Sequence, residues 1–109
     1  MAGFRADQIA QRVREIASTY ISRETNGRSF ITVTTVDINQ KADRAEIFIT
    51  VMPETEEAAA LEFFQRKRSE LRKEIMRNLP IARIPFIDVH IDKGEKLAQR
   101  MTEIAQKDL

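Results

Sequence analysis

Apolar side chains return every three to four positions along the first quarter of the chain, where Ile9, Val13, Ile16, Tyr20 and Ile21 fall on one helical face. With Asp7 near its start and Asn26-Gly27 as its stop, this spacing predicts an amphipathic helix over roughly residues 6 to 23. The period then shortens. Phe30 to Ile38 is rich in β-branched and aromatic residues, and from Arg44 to Val51 the residues Ala45, Ile47, Ile49 and Val51 alternate with Glu46, Phe48 and Thr50. That two-residue period belongs to strands with one buried face. The polar Asn39–Asp43 segment joins the two as a hairpin. In the first strand Ile31 and Val33 share one parity and Val36 and Ile38 the other, which predicts a bulge near Thr34-Thr35.

Beyond Met52-Pro53, Thr55 is the expected N-cap of a second helical stretch. Leu61, Phe64, Leu71, Ile75 and Leu79 keep one stripe there until Pro80 ends it. Such a stretch is about twice the usual helix length. Its stripe is interrupted at Arg68, so a break near Arg68-Ser69 is expected, giving two shorter helices. Ile84 to Ile91 reads as a third strand with Ile87, Val89 and Ile91 on one face. Gly94 marks a turn, and Leu97, Met101 and Ile104 place a short helix at the C-terminus. The predicted order is helix, strand, strand, helix, helix, strand, helix. This is an α+β fold in which helices back one face of a three-stranded sheet, and its hairpin and helical crossover resemble the type II KH arrangement. The G-x-x-G loop with which KH domains clamp single-stranded nucleic acid is missing, because no glycine lies between Gly27 and Gly94.

The 109 residues, 42% hydrophobic and 32% charged, suit one compact domain spanning 1–109. A net charge of +1 excludes a strongly basic protein, so nucleic-acid binding would require an asymmetric distribution of charge. The second helical stretch has that asymmetry. Glu54, Glu56, Glu57 and Glu62 crowd its start, and between Arg66 and Arg77 six bases (Arg66, Lys67, Arg68, Arg72, Lys73, Arg77) face only Glu70 and Glu74. Phosphate contacts dominate nucleic-acid affinity, which makes this segment the candidate RNA-binding surface. The plainer reading is a solvated helix face whose bases complement the helix dipole. The chain has no cysteine, hence no disulfide, thiolate nucleophile or zinc-thiolate site, which fits a reducing compartment. Charges interrupt the N-terminus, so no signal peptide is expected. No run approaches the roughly 20 apolar residues of a membrane span, so a soluble cytoplasmic protein is expected.

Taken together, several short motifs resemble the ribosome-binding factor A family. They are Arg12-Val13 in the first helix, Val33-Thr34 to Val36, Ala45 through Ile49, Leu71-Arg72, and Ile81, Pro85 and Ile87 leading to Asp92 and Gly94. The resemblance covers nearly the whole domain and implies a KH type II-like fold with a kinked helix in place of the glycine loop. It further implies an assembly factor without catalytic activity or cofactor, which binds the small ribosomal subunit and its ribosomal RNA. Such a factor would assist late maturation of that RNA and support growth in the cold. The family docks on RNA through a positive face, and this role carries over to Arg72. Arg66, Lys67, Arg68, Lys73 and Arg77 join it on charge alone. The chain departs from the family pattern where Lys67-Arg68-Ser69 stands in place of the small-residue kink. It departs again where Ala82 replaces an arginine, with Arg83 one place later as the corresponding candidate. A monomer is the default state.

Two other classes compete. Asp88, His90 and Asp92 alternate on the third strand, and carboxylate, imidazole and carboxylate on one face would suit a divalent metal. The solvent side of a one-faced sheet produces the same alternation unaided, and His90 is the only histidine. Alternatively the domain is a protein-interaction module or a generic RNA-binding KH-like module. Phe30, Phe48 and Phe86 would then meet a partner or stack bases from an open sheet face.

Overall fold

Strands with one buried face can be covered by a single layer of helices, and that is how the chain is arranged. The computed structural model describes residues 2–25, 30–41, 43–79 and 86–94. Helix α1 (Ala2–Thr25) leads to β1 (Phe30–Ile38) and β2 (Arg44–Met52), and a 3-10 turn (Glu54–Glu56) leads into α2 (Glu57–Asn78), which is followed by β3 (Phe86–Ile91). The sheet order is β1-β2-β3, with β1 antiparallel and β3 parallel to the central β2. Ala45, Ile47, Ile49 and Val51 of β2 are buried beneath Ile9, Val13, Ile16, Ala17, Tyr20 and Ile21 of α1 and Ala60, Phe64, Leu71 and Ile75 of α2. The expected α+β layout is therefore present. The expected C-terminal helix, Arg83, and the Ile84 start of the third strand lie outside the described residues.

The hairpin is closed by a side chain suited to it. Asn39 Oδ1 accepts hydrogen bonds from the backbone N–H of Asp43 and of Arg44, each at 3.0 Å. The expected bulge is present: Val33 pairs with Ile49 and Thr35 with Phe48, leaving Thr34 as the extra residue. Two consecutive threonines therefore point to the uncovered face, and burial switches from Ile31 and Val33 to Val36. The bulge places the Thr34 hydroxyl 2.6 Å from Asp92 Oδ2 and 3.2 Å from the Phe48 carbonyl. A hydroxyl has one proton to donate, and the charged, closer carboxylate takes it. Asp92 Oδ1 also accepts the Gly94 N–H at 2.8 Å, and the Asp92 N–H donates to the Ile49 carbonyl at 2.7 Å. Gly94 turns the chain at a φ of 81°, a value side chains disfavour. The exit of β3 is thus fastened to the bulge on the far strand.

Two expectations about the second helical stretch are corrected. It is one continuous α-helix from Glu57 to Asn78, with no break at Arg68-Ser69. It holds no glycine or proline to open the ladder. The gap in its apolar stripe is bridged because Lys67 and Arg68 stand at the two margins of the stripe, Lys67 reaching 3.9 Å toward Glu24 on α1 and Arg68 3.4 Å toward Asp88 on β3. Nor is Thr55 an N-cap. It lies within the 3-10 turn, whose N-cap is Pro53 without any side-chain cap bond; the Glu56 N–H donates instead to the Pro53 carbonyl at 2.9 Å. Charge from Glu54, Glu56 and Glu57 near the dipole's positive end takes the place of a capping hydroxyl. Helix α1 also starts earlier and ends later than the predicted 6 to 23, with the Thr25 hydroxyl bonding the Ile21 carbonyl at 2.8 Å.

One core side chain carries a polar tip without a partner. Tyr20 is 1% exposed and its hydroxyl has no partner at full hydrogen-bond distance, with the Glu70 carboxylate as the nearby acceptor. Burial, then the nearby Glu70 charge, pushes its pKa up to about 12. Burying an unbonded hydroxyl costs on the order of 1 kcal/mol, so Tyr20→Phe should unfold at equal or higher denaturant concentration at neutral pH. Because the folded state holds this proton more tightly than the unfolded chain, the wild type should also lose stability as pH rises from about 10 to 12, a loss absent from the variant. Asp92 behaves oppositely. The Thr34 hydroxyl, then the Gly94 N–H, holds its carboxyl below the usual range. Its contribution should be full above the ordinary carboxylate pKa of about 4 and fade as pH falls through the lower folded value. Thermal unfolding of Asp92→Ala against wild type should therefore show a deficit at pH 7 that narrows below pH 4.

Candidate nucleic-acid interface

A helix of 22 residues turns its side chains through every direction, so bases adjacent in sequence separate in space. The six candidates of α2 divide three ways. Lys67 stands toward α1, 3.9 Å from Glu24 and 3.5 Å from Glu70. Arg77 lies 3.2 Å from Glu74, which is itself 3.7 Å from Arg23 of α1. Arg68 and Arg72, one turn apart, stand toward β3. Arg66 and Lys73 are exposed on the outer face. Arg66, Arg72 and Lys73 make no ion pair among the described residues, so their charge is available to an external anion.

The side toward β3 forms a cleft of about 350 Å³ lined by Arg68, Ser69 and Arg72 of α2, Arg44 of β2, and Phe86, Ile87 and Asp88 of β3. Its position follows from register. β2 and β3 begin together, with Arg44 beside Phe86, and the second half of α2 passes over that end of the sheet. The Arg44 guanidinium lies 5.8 Å from the Phe86 ring centroid. Three arginines against one aspartate leave the lining with two positive charges. In contrast, the cleft between α1 and α2 balances Arg12 and Arg23 against Glu15 and Glu74. Arg44 is a contributor that sequence reasoning missed, because only the parallel register brings it to Arg68 and Arg72.

The metal candidates are drawn to separate partners. Asp88 lies 3.4 Å from Arg68, Asp92 bonds Thr34, and the His90 imidazole sits 3.7 Å from Glu46 with its ring 5.2 Å from that of Phe48. Among the described residues no three His, Cys, Asp or Glu side chains gather in a metal-binding group. No helix among them is long and apolar enough to cross a membrane. Of the three aromatics, Phe86 (57% exposed) opens into the basic cleft, Phe30 (76%) lies with Met52 (67%) at the opposite end of the hairpin, and Phe48 is half-buried.

Comparison with known proteins places this geometry in a family. A ribosome-binding factor A from Corynebacterium diphtheriae is 28% identical over 107 residues, covering 92% of this chain and 73% of the relative. One from Xanthomonas axonopodis pv. citri is 22% identical over 106 residues, covering 92% and 82%. The crystal structure of ribosome-binding factor A from Thermus thermophilus superposes with a TM-score of 0.70 at 16% identity, over 79% of this chain and 94% of that one, which shows a shared fold. The sequence profile described as ribosome-binding factor A matches residues 5–105, and the chain belongs to the ribosome-binding factor A family.

Proposed function

We propose that the protein is a ribosome assembly factor that binds the small ribosomal subunit through its ribosomal RNA and assists late maturation of that RNA. It acts by positioning, without catalysis or cofactor, as a monomeric single domain in the cytoplasm. Family membership supports the ribosomal role. The observation that carries the RNA contact is the concentration of Arg44, Arg68 and Arg72 in one cleft, continued by Arg66 and Lys73 on the outer face of α2. Backbone phosphates would supply affinity at these cations, and fit to a folded ribosomal site would supply specificity, since the chain has no base-reading aromatic motif of the RRM type. Lys67 and Arg77, drawn into ion pairs, contribute less, and Arg83 stands as a further candidate by sequence alone.

The opposite sheet surface supports the same orientation. Asp37, Glu46 and Asp88 occupy facing register positions across the three strands, an acidic row on the face without helices. Phosphates would be repelled there and attracted at the α2 edge.

Co-sedimentation with isolated small and large ribosomal subunits at low and moderate salt tests the reading. Wild type should pellet with the small subunit and be released as salt rises, with the Arg72→Glu/Lys73→Glu protein lost from the pellet even at low salt. Lys73 is exposed and Arg72, half-buried, makes no ion pair among the described residues, so unfolding free energy should move by no more than about 1 kcal/mol. Undiminished binding of the variant would remove the α2 face from the interface, and absence of the wild type from both subunits would overturn the function.

A further inference from the structure

Resting on the RNA-binding reading, and narrowing it to one class of RNA, we propose that the cleft between α2 and the start of β3 holds a single unpaired nucleotide, with its base on the Phe86 ring and its phosphate at Arg72. Phe86 is 57% exposed at the mouth of this cleft, an apolar ring left in water beside cations. A phenyl face in that setting is a stacking platform, sequence-tolerant because every base has a π-face. The Arg44 guanidinium, 5.8 Å from the ring centroid, holds a cation beside this platform and leaves the base to stack on the ring's other face.

The charges divide in a way that suits one phosphate. Asp88 takes up Arg68 at 3.4 Å. Arg72, half-buried and one turn further along α2, has no ion-pair partner among the described residues. Its guanidinium can meet a phosphate with two parallel N–H donors. The volume of about 350 Å³ falls in the small-ligand range of about 300–1,000 Å³. A duplex keeps its base faces inside the stack and offers Phe86 nothing to contact, so the cleft discriminates unpaired from paired RNA. The acidic row beyond Asp88 keeps the strand from spreading over the open sheet, leaving it to run along Arg66 and Lys73 on α2.

The test compares an unpaired oligoribonucleotide of about ten nucleotides, carrying 2-aminopurine at one internal position, with a blunt-ended RNA duplex of the same strand length, by fluorescence anisotropy. The unpaired strand should bind at least about tenfold more tightly, and its 2-aminopurine emission should change on binding. Phe86→Leu should weaken the unpaired strand about tenfold and abolish the emission change with thermal unfolding unaltered, Phe86→Tyr should retain both, and Arg72→Ala should weaken the unpaired strand more than the duplex. Equal affinity for the duplex, unchanged binding by Phe86→Leu, or no binding of the unpaired strand would each overturn the proposal. Co-sedimentation of the same wild-type preparation separates the levels: retained small-subunit binding would confine the failure to the nucleotide cleft, and its loss would extend it to the assembly-factor reading.

Discussion

In the parallel pairing of β2 with β3, Arg44 lies beside Phe86 and Ile49 beside Ile91, and a chain can make such a pair only by crossing back over the sheet. Helix α2 is that crossing. Its buried side chains Ala60, Phe64, Leu71 and Ile75 seat it on the face where β2 offers Ala45, Ile47 and Ile49. Once seated, the helix has no rotational freedom left, and the margin of its apolar stripe determines what meets the edge strand. That margin carries Arg68 and Arg72. The basic cleft is therefore a by-product of the crossover geometry, assembled from three elements whose residues lie far apart in the chain.

Burial on a single face has an electrostatic consequence. With both helices on one side, the uncovered side takes the polar parity of each strand, and the register aligns Asp37, Glu46 and Asp88 there. The bases of α2 gather on the other side and along the β3 edge. A chain with a formal net charge of only +1 thereby keeps an acidic row on the sheet apart from the outer bases of α2. Arg68 and Asp88 meet where helix and sheet adjoin, and their contact orients the guanidinium along the cleft wall. Exposed pairs of this kind contribute about 0–1 kcal/mol, so its value lies in orientation more than in stability.

The link between Thr34 and Asp92 shows how a local irregularity acts at a distance. Parity counting along β1 locates the bulge, because Ile31 and Val33 must face the core and so must Val36. Nothing in that count says what the extra residue touches. Only in the folded sheet does the Thr34 hydroxyl reach across β2 to the carboxylate that ends β3. The unbroken α2 teaches a related lesson. A gap in an apolar stripe reads as a break when the helix is considered alone. The ladder runs on because no glycine or proline opens it, and Lys67 and Arg68 reach α1 and the sheet edge from the margins of the stripe, partners invisible to local spacing.

Periodicity settled the helical or extended character of α1, α2 and the three strands, the hairpin between Asn39 and Asp43, and the face each strand buries, because side-chain direction repeats every 3.6 or two residues whatever the tertiary context. The motifs from Arg12-Val13 to Gly94 sufficed for the family resemblance. Which of the six α2 bases lie together was a matter for the tertiary structure: Glu24 of α1 stands against Lys67, Glu74 draws Arg77, and the parallel register supplies Arg44 and Phe86 to Arg68 and Arg72. Charge is written along the chain, but electrostatic potential depends on distances in space, and those exist only after α2 has crossed the sheet.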